Sequence, residues 1–295
     1  MRVARVLAQA KLNLWLKILA RDASGYHEIN TIFQRIDLAD EVTVRVGGHG
    51  RSIDCSGPRL PASGLGAPEE NLAFRAAMAY SEMTGWAQAF SIEITKHIPV
   101  GGGLGGGSAD AAAVLRTLDI LAAKPIGGAR LLEIGRSLGS DVPFLASEHL
   151  SALGGGRGDE LTSLPALPSR EVLLVIPNFA VPTGDAYRWF DEAGVTPPPL
   201  MPRDTEAKVI PPWDLVAELS QNDFESVVEH RHSQLAMYRR RLKESGAKVA
   251  RLSGSGSTVF GVFEGRVPSA QDLALGTDVV HTRTSSRVVQ VEVLE

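Results

Sequence analysis

The stretch PVGGGLGGGSA at residues 99–109 decides the fold, because it stands between a predicted strand at residues 90–98 and a predicted helix at residues 108–122. Six of the seven residues from 101 to 107 are glycine, which lets the backbone adopt positive φ angles and approach a ligand closely. The helix that follows presents unpaired N–H groups and the positive end of its dipole. This arrangement predicts a phosphate-binding loop rather than a flexible linker, because linkers rarely separate a well-patterned strand from a helix.

The surroundings of the glycines indicate the type of phosphate loop. Residues 101–106 match G-x-G-x-x-G, but the strand before them alternates apolar and polar residues. A dinucleotide-binding fold has a buried parallel strand there and an acidic residue about 20 positions later. A Walker A loop has lysine before its final serine or threonine, and Gly107 occupies that place. The loop is therefore of a third type, in which Ser108 either caps the helix or reaches a phosphate-bound Mg²⁺.

The segment nearest the N-terminus predicts a strand with two polar residues of interest. Residues 5–19 alternate apolar and polar side chains, and Lys11 and Asn13 stand side by side on the polar face, about 7 Å apart. That face is either solvated or functional. The other elements predicted before the loop are an extended stretch at 29–46 with an acidic turn near 37–41, a loop at 50–70 and a helix at 71–84.

After the loop, a helix predicted at residues 129–138 ends at Gly139. Asp141 follows, and it is either the N-cap of a helix with Pro143 in its first turn or a functional carboxylate. A shift to glycine, serine and proline at residues 154–170 predicts a domain boundary, which gives domains at 1–160 and 161–295. The elements predicted in the second domain are strands at 172–176 and 287–294, a Pro-rich loop at 197–203, helices at 213–219 and 223–245, and a strand–loop–strand at 248–263. Strands and helices mix without strict alternation, which is typical of an α+β fold.

The composition excludes several classes of protein. Thirty Lys and Arg against thirty-four Asp and Glu give a net charge of −4, which argues against nucleic-acid binding through a basic field. The single Cys55 excludes an intramolecular disulfide and a cysteine-rich zinc site. No run of about 18 apolar residues is present, and the first 20 residues lack the continuous apolar region of a signal peptide. We therefore expect a cytoplasmic protein with no nucleic-acid, membrane or obligate protein partner.

Two short motifs have open interpretations. Tyr26 and His27, in a predicted turn after the first strand, could stack on and hydrogen-bond a flat ring, or they could be a packed tyrosine and a surface histidine. Residues 254–257 (GSGS) lie between two predicted strands. They could form a tight hairpin or a second backbone nest for an anion.

Five motifs, in their order along residues 4–263, resemble the GHMP kinase superfamily. They are AQAKLNLWL at 8–16, GYH at 25–27, PVGGGLGGGSADAA at 99–112, LGSDVPF at 138–144 and RLSGSGSTVF at 251–260. The combination of AKLNL, GYH and SDVPF is similar to one branch of the superfamily. That branch belongs to the non-mevalonate isoprenoid pathway and phosphorylates a hydroxyl of a cytidine diphosphate conjugate of methylerythritol. The sequence departs from it at Ser24, where an aspartate is usual.

The resemblance implies an α+β fold of two domains with the active site in the cleft between them. It implies ATP as the phosphoryl donor, and Mg²⁺ held mainly by the nucleotide phosphates, with Ser108 as a further candidate ligand and no dedicated metal site in the protein. Asp141 is expected to be the catalytic base that takes the hydroxyl proton. Lys11 is expected to be its partner and to neutralise charge on the transferred group.

The resemblance also implies two sets of binding residues. The set expected to bind the nucleotide is Asn71, Lys96, Pro99, Val100, Gly101, Gly102, Gly103, Leu104, Gly105, Gly106, Gly107, Ser108 and Ala109. The set expected to bind the substrate and its cytidine diphosphate moiety is Asn13, Tyr26, His27, Thr183, Tyr187, Gly254, Ser255 and Gly256.

Two alternative functions remain open at this point. Another GHMP kinase acting on a small alcohol such as homoserine or mevalonate would share the loop but would not need Tyr26 and His27. A nucleotide-binding relative without catalysis is disfavoured by the presence of both Lys11 and Asp141, since a pure binder needs neither.

Overall fold

The computed structural model describes residues 1–195, 213–273 and 276–294. Their strands are β1 (Arg2–Arg21), β2 (His27–Val46), β3 (Arg51–Ser56), β4 (Phe90–Thr95), β5 (Ser151–Gly155), β6 (Glu160–Leu164), β7 (Glu171–Ile176), β8 (Val249–Leu252), β9 (Val259–Phe263), β10 (Asp278–Arg283) and β11 (Glu292–Leu294). Their helices are α1 (Leu72–Thr84), α2 (Gly106–Leu121), α3 (Gly128–Leu138), α4 (Val142–Ala146), α5 (Thr183–Glu192), α6 (Trp213–Leu219), α7 (Phe224–Arg231), α8 (Gln234–Glu244) and α9 (Ala270–Leu273). The predicted α+β class is confirmed.

Two sheets organise these elements. The first has the order β11-β1-β2-β4-β3, and β5 and β6 extend it from one end of β2. Helices α1 to α4 contact one another, and α2 and α4 contact β1, so the first core lies between this helical layer and the sheet. The second sheet has the order β10-β7-β9-β8, and α5, α7 and α8 bury apolar side chains in the second core beside it.

Strand β1 runs through both cores. Its Leu12 and Leu14 lie in the first core, whereas Leu16 and Ile18 lie in the second. Its pairing with β2 shifts register on each side of the segment from Lys11 to Asn13. Such irregularities redirect side chains and are frequent next to active sites. The polar pair that the sequence singles out is therefore at the junction of the two cores.

The glycine loop packs directly against the turn between β8 and β9. Gly103 has a φ of +76°, and a Cβ atom there would lie 2.0 Å from the carbonyl oxygen of Ser253. The Ser253 hydroxyl donates to the carbonyl oxygen of Gly103 at 2.9 Å, and the Thr258 N–H donates to that of Gly102 at 3.2 Å. Only glycine allows this backbone approach, which closes one side of the cleft between the sheets.

Several predicted elements differ from the structure. The acidic turn expected near residues 37–41 is wrong, because β2 continues through it and pairs with β1 along most of its length. The expected loop at 50–70 begins with β3, which pairs in parallel with β4. The helix predicted at 223–245 is two helices, α7 and α8, and most of the strand predicted at 287–294 is irregular.

The domain boundary placed after residue 160 stays a prediction. Strand β6 begins at that position and belongs to the first sheet, as does β11 near the other end of the chain. The Pro-rich loop predicted at 197–203 lies outside the described residues. In the part of the chain that is described, no helix is long and apolar enough to cross a membrane.

Candidate active site

The ammonium group of Lys11 occupies the centre of the site. The side chain is only 3% exposed, so the alternative of a solvated strand face is wrong. Its Nζ donates to Asn13 Oδ1 at 2.6 Å and to the Gly103 carbonyl oxygen at 3.0 Å, and it lies 3.3 Å from Asp141 Oδ2. Two of its N–H groups are therefore engaged in hydrogen bonds, and the ion pair with Asp141 balances its charge.

Asp141 precedes α4, but it does not cap that helix. Its side chain makes no capping hydrogen bond and pairs with Lys11 instead. The carboxylate is 28% exposed and lines a cavity of about 600 Å³. A carboxylate that is open on one side and paired with a buried cation on the other can accept a proton from a substrate hydroxyl.

Arg35 holds the far end of α4. Its Nη2 donates to the carbonyl oxygens of Phe144, Leu145 and Ser147, groups that the end of a helix leaves without helical partners. Its guanidinium also lies 5.0 Å from the centroid of the Phe144 ring. Burial lowers the pKa of Arg35 to about 9. These bonds fix the short helix, and with it the position of Asp141.

Thr31 fixes the orientation of the Asn13 amide. Its hydroxyl donates to the Trp15 carbonyl oxygen at 2.7 Å and accepts from Asn13 Nδ2 at 2.8 Å. The hydroxyl has one proton and gives it to Trp15, so only an oxygen lone pair faces Asn13. The amide nitrogen must therefore point to Thr31, and the amide oxygen to Lys11.

The expected phosphate loop forms one wall of this cavity. Residues 99–108 all line it, and α2 begins at Gly106 with Gly105 at the N-cap position. Ser108 is the third residue of the helix, so the interpretation of Ser108 as its cap is wrong. Ala109 is set back from the cavity, because it is buried in the first core and its N–H donates to the Gly105 carbonyl oxygen.

Lys96 and Asn71 line the same cavity beyond the loop, and each has a structural partner. The Lys96 ammonium is buried between the carboxylates of Asp40 and Asp110, with Asp110 Oδ2 at 2.6 Å. The Asn71 side chain accepts the N–H of Ala73 and caps α1. Burial raises the pKa of Asp110 to about 8, even though Lys96 opposes the shift.

A second cavity, of about 800 Å³, shares Thr183 with the first and is lined by Gly139 and Ser140, just before Asp141 in the chain. Tyr26, His27 and Tyr187 line it, and the His27 and Tyr187 rings stack with centroids 5.7 Å apart. The His27 Nδ1–H donates to the Leu19 carbonyl oxygen at 2.8 Å, and its Nε2 lies 2.7 Å from Asp191 Oδ1. The cavity therefore offers flat aromatic surface beside polar groups, and a binding role for Tyr26 and His27 stays a prediction.

The remaining substrate-set residues lie at or next to the first cavity. Thr183 lines both cavities, and its hydroxyl is 3.0 Å from that of Ser255. Ser255 and Gly256 line the first cavity. Gly254 packs so closely that a Cβ atom there would lie 3.3 Å from Asn13 Oδ1. The turn between β8 and β9 thus contacts the loop and the Lys11 pair. The binding roles of these residues stay predictions.

Four residues that the structure places in or beside the site receive no functional role from the sequence. Thr31, Asp40, Asp110 and Arg35 belong to strands or helices whose patterns only indicated secondary structure. Asp110 lies two residues after Ser108, and this spacing next to the loop is the one signal that could have found it. Within the described ranges, no group of three or more His, Cys, Asp and Glu side chains could hold a metal ion.

Comparison with known proteins gives this geometry a context. The family model described as "GHMP kinases N terminal domain" matches residues 71–149, and that described as "GHMP kinases C terminal" matches residues 211–273. The 4-diphosphocytidyl-2-C-methyl-D-erythritol kinase of Geobacter sp. strain M21 is 38% identical over 90% of this chain and 91% of its own length. The chain belongs to this family of GHMP kinases. The enzyme of the same name from Moorella thermoacetica is 40% identical, over 89% of this chain and 90% of its own.

Solved structures agree with this kinase in fold. A crystal structure of 4-(cytidine 5'-diphospho)-2C-methyl-D-erythritol kinase superimposes with a TM-score of 0.73 at 32% identity, and the match covers 96% of this chain and 100% of that one. Homoserine kinase from Cytophaga hutchinsonii gives a TM-score of 0.68 at 18% identity, over 99% of this chain and 97% of that one. The second likeness concerns the fold alone.

Replacement of Thr31 by Val should lower the turnover number by about tenfold, because it leaves the Asn13 amide without its hydroxyl partner and Lys11 without a fixed acceptor. The Thr31→Ser variant retains the hydroxyl and should stay close to the wild type. Steady-state kinetics and thermal melting of the three proteins test this. An unchanged turnover number in a folded Thr31→Val protein would contradict the orienting role.

Asp110 should make the stability of the protein depend on pH. Its pKa is about 8 in the folded state and about 4 in an unfolded chain, so between these values the folded state retains a proton that the unfolded state has lost. Stability from this group is therefore complete below about pH 4 and is lost as the pH rises towards 8. Melting temperatures from pH 5 to 8 should fall less steeply for Asp110→Asn than for the wild type. The exposed-site control Asp54→Asn should keep the wild-type slope, and equal slopes in all three would contradict the assignment.

Proposed function

We propose that this kinase transfers the γ-phosphoryl group of ATP to a hydroxyl of 4-diphosphocytidyl-2-C-methyl-D-erythritol, in the non-mevalonate route to isoprenoid precursors. The observation that carries the proposal is the Lys11–Asp141 pair, whose carboxylate lines the glycine-lined cavity, while Thr183 lines both that cavity and the aromatic-lined one. The names of the relatives at 38 to 40% identity support the same substrate. Cytoplasmic location and the absence of nucleic-acid or obligate protein partners stay predictions.

The glycine-lined cavity suits the nucleotide. Residues 101–107 give close backbone approach, and the unpaired N–H groups in the first turn of α2 attract phosphate oxygens. Mg²⁺, when bound, neutralises charge on the phosphates. The Ser108 hydroxyl lines the cavity and would be a protein ligand to this ion, since Mg²⁺ in such sites takes few protein ligands besides phosphates.

The aromatic-lined cavity suits the cytidine part of the substrate. The rings of Tyr26 and the stacked pair of His27 and Tyr187 offer faces for a pyrimidine base. Burial raises the pKa of Tyr187 to about 12, and the nearby Asp141 carboxylate adds to the shift. A base held here would direct the alcohol end of the conjugate towards Asp141, on the path that Thr183 lines.

The chemistry then rests on positioning and charge. Asp141 orients the acceptor hydroxyl and takes its proton as the oxygen bonds to the γ-phosphorus, and Asn13 acts by holding Lys11 in place. The bond from that phosphorus to the bridging oxygen breaks, and ADP leaves with the electron pair. Lys11 stabilises the negative charge on the transferred group, which is the main demand of phosphoryl transfer.

A coupled assay of ADP release tests the proposal. Purified protein with Mg²⁺ and ATP is offered the cytidine diphosphate conjugate, homoserine and mevalonate in parallel. Turnover of the conjugate alone is expected, because neither small alcohol fills the aromatic-lined cavity. Turnover of homoserine or mevalonate without the conjugate would favour another GHMP kinase, and no turnover by folded protein that binds ATP would favour a non-catalytic relative.

The Asp141→Asn variant should lose turnover by about 10²- to 10⁴-fold, the usual contribution of a general base, and should still bind ATP. Asn keeps the size of the side chain and removes both the proton acceptor and the charge opposite Lys11. Single-turnover rates and nucleotide titration measure the two properties separately. The matched control is Asp54→Asn, an exposed acid of β3 that lines neither cavity. A loss of at most a few-fold in Asp141→Asn would remove Asp141 as the base.

A further inference from the structure

Arg157 connects two turns at the rim of the aromatic-lined cavity. It lies between β5 and β6, and its guanidinium stands 4.1 Å from the centroid of the Tyr26 ring, in the turn between β1 and β2. The same group donates to Ser24 Oγ at 2.5 Å and lies 3.2 Å from Asp22 Oδ2. The Arg157 side chain therefore contacts three groups of a single turn, which are the Asp22 carboxylate, the Ser24 hydroxyl and the Tyr26 ring.

Asp22 shows that this turn is ordered before any ligand binds. Its Oδ1 accepts the N–H groups of Ser24 at 2.8 Å and Tyr26 at 3.1 Å, and also the Ser24 hydroxyl. The Ser24 hydroxyl and, less strongly, Arg157 lower the pKa of Asp22 to about 2. The carboxylate that anchors Arg157 therefore stays charged at any working pH of the enzyme.

The Tyr26 ring contacts the Arg157 guanidinium, and most of its surface is exposed to solvent. It is 63% exposed, whereas the other aromatic residues of this cavity, His27 and Tyr187, pack on each other. An exposed tyrosine without packing partners samples several rotamers, and a ligand that stacks on it must select one of them. A planar guanidinium on the ring restricts that freedom in advance.

We propose that Arg157 is a positioning residue that holds the Tyr26 ring as the stacking surface for the pyrimidine base of the substrate. Arg157 acts through the ring and not through contact with the phosphates of the substrate. This inference rests on the proposed function for its ligand. The inference means that Arg157, which is outside the expected substrate set, contributes to the affinity for the nucleoside part of the substrate.

Calorimetric titration with cytidine and with cytidine diphosphate tests the proposal. Arg157→Gln should weaken binding of both by a similar factor, about tenfold, since both carry the same base. Arg157→Lys should recover only part of the loss, because lysine has charge without a planar face. The control is Arg231→Gln, which removes the same kind of contact between a guanidinium and a ring, with Trp189 at 4.8 Å, away from both cavities. It should bind cytidine like the wild type.

Kinetics on the conjugate should agree with the titrations. Arg157→Gln should raise the KM for the conjugate by about tenfold and leave kcat and the KM for ATP unchanged. A loss for cytidine diphosphate with none for cytidine would mean direct phosphate contact and would overturn the proposal. A change in kcat or in the KM for ATP would indicate a general structural role and would overturn it too.

A ligand-free measurement separates this inference from the proposed function. The chain has four tyrosines, so fluorotyrosine labelling should give four ¹⁹F signals, of which Tyr26→Phe identifies one. Arg157→Gln should shift and broaden that signal, and Arg231→Gln should not. An unmoved signal would show that Arg157 does not hold the ring, even if the wild type phosphorylates the conjugate. If the Tyr26 signal moves but the protein binds no cytidine, the proposed function is refuted, and only the contact between Arg157 and Tyr26 is supported.

Discussion

The buried ammonium of Lys11 is the interaction on which the site depends. A charge removed from water is costly unless it is fully paired. Here two hydrogen-bond acceptors come from β1 itself and from the glycine loop, and the ion-pair partner is the residue before α4. Because Lys11 contacts both groups, it fixes the distance between the glycine loop and the Asp141 carboxylate. The geometry proposed for catalysis therefore follows from the need to pair this buried charge.

The two sides of the cleft use different physical means. On the nucleotide side, the backbone itself forms the surface, and the contact between Gly103 and Ser253 excludes any side chain. On the opposite side, aromatic rings form the surface, and their order comes from stacking and from charged neighbours such as Arg157. Backbone amides suit any phosphate, whereas rings discriminate among ligands by shape. Specificity is therefore expected to reside on the aromatic side.

The sequence predicted the parts of this site that local pattern determines. The loop at 99–108 needed only its glycines and its place between strand and helix, and the motif order added Lys11 and Asp141. Burial of Lys11 was not predictable from β1, because alternation gives a polar face without saying what covers it. The partners of Lys96 are 56 and 14 residues away in the chain, and Arg157 meets Tyr26 across 131 positions, from 26 to 157. Such pairs arise from topology, which no single segment encodes.

The course of β1 has a consequence for synthesis of the chain. The strand is made first, and β2 can pair with one edge of it almost at once, since a short turn joins them. Strand β11 can pair with the other edge of β1 only when Leu294 lies opposite Val3. Leu16 and Ile18 likewise gain their core partners only with residues beyond 170. Non-local pairing slows folding and leaves strand edges exposed. On the ribosome this edge of β1 therefore stays unpaired until β11 has been synthesised, and it is where we expect chaperones to bind.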